Sequence, residues 1–166
     1  MHRLIKPWFG GFLVMMASCD DGESAMTQAV LFSAIEGQVV KDGQPVAGAT
    51  LVRDWEFAAD KVVGHDETVT GAGGRFRFGP VIHAYQPPRM LAQQPIVDQR
   101  IHVTVDGRNW PVWTASKHDL EAGTEAKMGF VPPTDVAVPL QVTIDLDSPR
   151  ALRGRVIGHT LFPGQP

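Results

Sequence analysis

The sequence predicts an all-β protein, a single Greek-key β-sandwich of about seven to eight strands. Three observations carry this prediction. Gly and Pro are plentiful, 17 and 13 among 166 residues, so turns are frequent. Apolar and polar residues alternate in several short stretches, as half-buried strands require. Runs at helical spacing are scarce, and only 117–129, KHDLEAGTEAKMG, leaves room for one helical turn in place of a loop. The chain is long enough for one domain with a real core. An apolar content of 43% with 20% charged residues excludes compositional disorder. The formal net charge of −3, with no basic stripe between aromatics, gives no reason to expect a nucleic-acid partner.

Residues 1–18 have the layout of a signal peptide. Arg3 and Lys6 supply a positive start, and WFGGFLVMMA is an apolar run too short to span a bilayer comfortably. The only cysteine, Cys19, follows at once. One cysteine makes no internal disulfide and no multi-cysteine zinc site. Met16-Ala17-Ser18-Cys19 resembles the lipobox of bacterial lipoproteins. The resemblance implies cleavage before Cys19, acylation of its sulfur, and a lipid anchor on the periplasmic side of a membrane. Each buried methylene adds roughly 0.8 kcal/mol, so two or three chains hold firmly where one does not. Asp20 resembles the residue that retains lipoproteins in the inner membrane of enteric bacteria, which leans the location that way. Residues 19–32 then divide into the acylated cysteine and a polar tether, and 33–166 form the sandwich.

Ile35, Gly37 and Val39 share one face of the first expected strand, and Asp42-Gly43 with Pro45 punctuates a turn. Ala49 and Leu51 alternate with Thr50 and Val52 in the return. TVTGAGGRFRFGPV gives strand, glycine-rich turn and strand, with Phe76 and Phe78 inward and Arg75 and Arg77 outward. GAGG here is a hairpin turn, since no G-x-G-x-x-G opens a helix and no P-loop lysine follows. These residues resemble the carboxypeptidase regulatory-like domains, which are transthyretin-like β-sandwiches related in outline to immunoglobulin folds, and an uncharacterised bacterial lipoprotein family with the same beginning. Gly37, Val39, Gly43, Pro45, Val46, Gly48, Ala49 and Leu51 carry the first part of the motif. Thr70, Gly74, Phe76 and Phe78 carry the second. Gly71 stands where that family usually has aspartate, so the turn lacks that side-chain hydrogen bond, but glycine can still supply positive φ there. Such modules are usually non-catalytic, so the resemblance implies fold more than activity.

Ile101, Val103 and Val105 face one way in the next strand, and Asp106-Gly107 turns it. Pro111 cannot donate to a ladder, which places the return strand at an edge. Trp110 and Trp113, three apart, are expected on opposite faces, one in the core and one exposed as a binding anchor. Val136, Val138, Leu140, Val142, Ile144 and Leu146 make a period-two stripe that reads as one long strand, and ALRGRVIGHTL reads as the last. Residues 84–99, AYQPPRMLAQQPIVDQ, are an irregular insertion, and long loops of this kind are functional or mobile.

No motif for catalysis stands out. No serine lies in G-x-S-x-G, and Ser116, His118 and Asp119 are sequence neighbours rather than a spatial triad. His65-Asp66-Glu67 and His118-Asp119 pair imidazole with carboxylate, but no H-E-x-x-H is present. No catalytic residue, metal or cofactor is therefore expected. The expected function is a non-enzymatic, membrane-anchored periplasmic lipoprotein that binds a protein partner, through Tyr85, Arg89, Met90, Trp110 and Trp113. A finer version is an immunity protein against a secreted toxin, a lipase-type effector of a type VI secretion system. The alternative is a module binding carbohydrate or another cell-envelope ligand.

Overall fold

The computed structural model describes residues 26–87, 94–126, 135–148, 151–153 and 156–162. These contain thirteen strands and no helix: β1 (Thr27–Phe32), β2 (Ile35–Lys41), β3 (Gln44–Pro45), β4 (Thr50–Phe57), β5 (Val62–Val69), β6 (Arg75–Phe78), β7 (Val81–Tyr85), β8 (Val97–Val105), β9 (Arg108–Lys117), β10 (Leu140–Asp145), β11 (Ala151–Arg153), β12 (Val156–Gly158) and β13 (Thr160–Leu161). One layer is a six-stranded sheet in the order β11-β12-β9-β8-β4-β5. The other is β13-β10-β2, with β3 and β6 also paired to β2, continued by the pair β1-β7. The registers Phe32↔Val81 and Ile35↔Phe78 show one antiparallel ladder running through both parts of this layer, bent at a bulge between Val30 and Phe32. Taken as continuous strands, β1–β2 and β6–β7 join β4, β5, β8, β9 and β10 to make seven long strands, as the sequence predicts.

Alternation seats the core between the layers. Ile35, Val39, Phe76, Phe78, Val142 and Ile144 from one layer meet Leu51, Ile101, Val103 and Trp113 from the other. Each such burial contributes roughly 1.5–3 kcal/mol. Arg53 crosses the same space at 1% exposure. Its guanidinium donates to Asp66 (Nε to Oδ1, 2.9 Å) and to the Gly79 carbonyl (2.8 Å), and its centre lies 4.6 Å from the Phe78 ring and 5.0 Å from that of Phe32. A buried charge is tolerated there because it is paired and stacked.

The turns follow their residues. Asp42-Gly43 and Asp106-Gly107 hold positive φ at both positions, the twist that a two-residue hairpin needs. The Thr70 hydroxyl donates to the Val46 carbonyl (2.7 Å) and accepts from Ala49 N (2.9 Å), locking the turn before β4. Gly37 lies beside the parallel strand β10, where a Cβ would come within 2.4 Å of the Val142 carbonyl oxygen. Positive φ in the glycine-rich turn falls on Gly74, not on Gly71.

Three further expectations are corrected, and one open choice is closed. The sandwich begins within the stretch expected as tether: β1 starts at Thr27, and Ala29, Leu31 and Phe32 are fully buried. The apolar stripe from Val136 becomes strand only at Leu140, because the Asp135 side chain and carbonyl close a turn on Ala137 and Val138. Residues 118–126 form turns among the described residues, the loop that the sequence leaves open beside a helical turn. β9 is not an edge strand. It lies between β8 and β12, although the ladder to β12 meets it at Thr114, beyond Pro111.

Candidate functional site

Two polar clusters lie near β1. The first is sealed. Glu125 accepts from Ser33 N (3.1 Å), Ser33 Oγ (2.7 Å) and Gln99 Nε2 (3.1 Å). Lys117 Nζ sits 3.5 Å from Glu125 Oε1 and donates to the carbonyls of Val30 (3.0 Å) and Glu121. Gln99 also donates to the Leu31 carbonyl and faces Trp113 Nε1. Ser33, Gln99, Lys117 and Glu125 are at most 2% exposed. A serine, a lysine and a glutamate together suggest chemistry, but solvent does not reach them. They satisfy one another and tie the 118–126 connection across β1.

The second cluster opens outward. Phe57 and Val62 close β4 and β5 around the turn Ala58–Lys61, where Lys61 has positive φ. On β7, Val81, His83 and Tyr85 point to one face, and Tyr85 packs edge-on against Phe57 at 5.0 Å. His83 Nε2 lies 2.5 Å from Asp60 Oδ2. Between that turn and the connection from β7 to β8 is a pocket of about 570 Å³. Ala58, Ala59, Tyr85 and Ile96 give it an apolar lining, and Asp60, Gln86 and Gln94 supply polar groups. Tyr85 joins it to the small core of Ala29, Leu31, Phe57 and Val97. An apolar pocket with a few converging polar groups accepts a side chain or a small ligand.

The sequence-predicted residues are scattered. Tyr85 lines this pocket, although the residue as a whole is only 7% exposed. Arg89 and Met90, like Cys19 and Asp20, lie outside the described residues. Trp110 and Trp113 are both buried, at 7% and 1%, so neither is an exposed anchor. The cause is a bulge in β9: Trp113 pairs with Ile101 and Trp110 with Val103, and the extra residue returns Trp113 to the face of Trp110. Arg108 and Lys41 lie over the Trp110 ring at 4.7 and 6.0 Å. Ser116 donates to Asp98 (2.6 Å), and Asp119 accepts from Glu121 N and Thr124 Oγ1, which closes a turn. Among the described residues, no group of three or more His, Cys, Asp or Glu is placed to hold a metal ion. Nor does any helix there have the length and apolar character to cross a membrane. Sequence reasoning missed Asp60 and His83. Their one signal is the irregular stretch expected over 84–99, although Ala84 and Tyr85 belong to β7 and Val97 to Gln99 belong to β8.

Residues 35–130 match the family model of DUF6795, a domain of unknown function, over more than half of the chain. The chain belongs to the DUF6795 family. The DUF6795 span holds every residue lining the pocket, whereas Cys19 stands before it. No curated protein matches the chain. Among solved structures, an alternative pilotin from the type II secretion system of Vibrio cholerae is similar at 16% identity over 67% of this chain and 95% of that one. Its TM-score of 0.28 is too low for it to bear on fold or function.

Proposed function

We propose that this chain is a non-enzymatic protein-binding module, lipid-anchored through Cys19 on the periplasmic side of a bacterial membrane. The pocket between the β4–β5 turn and the β7–β8 connection is the observation that carries this reading. Connections carried on a rigid scaffold are where binding groups concentrate. The apolar lining of Tyr85 and Ile96 suits an aliphatic or aromatic side chain of the partner, and Asp60 at the rim suits a donor beside it. Residues 20–26 span at most about 25 Å, so the sandwich stands close to the membrane surface. The carboxypeptidase regulatory-like resemblance belongs to the same proposal. Of its motif residues, Thr70 holds the turn before β4 through its hydroxyl and Gly74 takes positive φ in the glycine-rich turn.

Within this class the chain neutralises a lipase-type effector delivered to the periplasm. A small anchored domain is positioned where such effectors act. Expressing the product of the neighbouring gene in the periplasm tests this. Growth arrest is expected, relieved by the wild-type chain and not by Ile96→Arg. A harmless product, or relief that the variant retains, contradicts the reading. Recognition of a carbohydrate by stacking on Trp110 or Trp113 is disfavoured, because both rings are buried.

A further inference from the structure

Strand β5 ends the six-stranded sheet, with β4 on one side and no strand on the other among the described residues. It is eight residues long, pairs with β4 without a bulge, and carries no proline and no net blunting by lysine. Sheets usually protect such edges with charge, proline or a bulge. Here the exposed face carries one carboxylate, Glu67, and His65 between two valines, Val63 and Val69, that are 74% and 58% exposed.

The hydrogen-bonding phase of the open edge is fixed. Thr70 accepts from Gly48 N and donates to the Ala49 carbonyl, so both its backbone groups face β4. Alternation makes Thr68, Asp66, Gly64 and Val62 do the same. Val63, His65, Glu67 and Val69 therefore present their N–H and C=O groups outward, and their side chains share the exposed face.

We propose that two copies of this chain pair through β5, antiparallel, about a two-fold axis at Asp66. This places Val63 opposite Val69 of the second copy and His65 opposite Glu67, with each pair exchanging two backbone hydrogen bonds. The strand is self-complementary in this register: valine meets valine, and imidazole meets carboxylate. A shift of two residues either way sets His65 against His65 or Glu67 against Glu67, and leaves a valine unpaired. The two Asp66 side chains lie on the other face, each already bonded to its own Arg53. An isologous pairing of this kind closes on itself and ends the exposed edge. The pocket lies at the β4–β5 turn and stays open, so the pairing is independent of partner binding.

Cross-linking of the full-length chain in intact cells tests the register. Two tagged populations, Val63→Cys and Val69→Cys, are co-expressed and mildly oxidised, with the chain carrying only Cys19 as background. The mixed product is expected at about ten times the yield of either population alone, since only 63 and 69 come within disulfide reach across the axis. His65→Glu in both populations is expected to abolish it, and adding Glu67→His to restore it. Resistance to trypsin checks that each variant is folded. Folded variants that fail to cross-link, cross-link equally when unmixed, or are not restored by the exchange overturn the proposal.

Discussion

The two polar clusters beside β1 contain similar groups and have opposite fates. Ser33, Gln99, Lys117 and Glu125 are sealed, and each has partners within the fold. His83 and Asp60 also pair, at 2.5 Å, but Asp60 lines an open pocket and is 45% exposed. The difference teaches that residue type is a poor guide to function and that solvent access decides. A serine beside a glutamate and a lysine is here structural. A histidine on β7 and an aspartate in the β4–β5 turn make the accessible pair.

Substitutions separate the clusters by size of effect. Glu125→Ala has the largest. It takes from Lys117 its nearer carboxylate, leaving Asp119 at 4.0 Å, and orphans the Ser33 N–H, and is expected to cost about 3–5 kcal/mol in urea unfolding. A loss under about 1 kcal/mol would mean that water already reaches the cluster. Ser33→Ala comes next. Its hydroxyl accepts from Gly123 N at 2.8 Å, so removing it orphans a buried donor, and a loss of about 1–3 kcal/mol is expected by the same measurement. His83→Gln and Asp60→Asn sit at the bottom of the stability scale, within about 1 kcal/mol of wild type, as exposed polar pairs generally are. On the proposed function, their effect is expected instead as weakened relief of the neighbouring gene product's toxicity. If they unfold the protein as readily as Glu125→Ala, the contrast between the clusters disappears.

Much of this was legible in the sequence, and the failures have physical causes. Period-two patterning located β2, β4, β6 and β8, and Asp-Gly marked both tight turns, because these depend on local chemistry. The tryptophans were misplaced because a bulge depends on the partner strand: nothing local distinguishes the extra residue of β9. Val136 and Val138 continued the apolar stripe, but Asp135 folds them into a turn. The stretch Ala29–Phe32 reads as tether because its apolar run is short and follows polar residues, while its burial depends on β7. Asp60 and His83 stand 23 positions apart, and only the packing of β7 beside the β4–β5 turn brings them together.

The central claim is that partner recognition occurs at the open cluster. Hydrogen exchange of the full-length chain, alone and bound to the partner that passes the growth assay, tests it most directly. Slowed exchange over residues 58–60, 83–86 and 94–96 is the predicted result. Protection of the same complex confined to other strands, with those three segments unchanged, would contradict it.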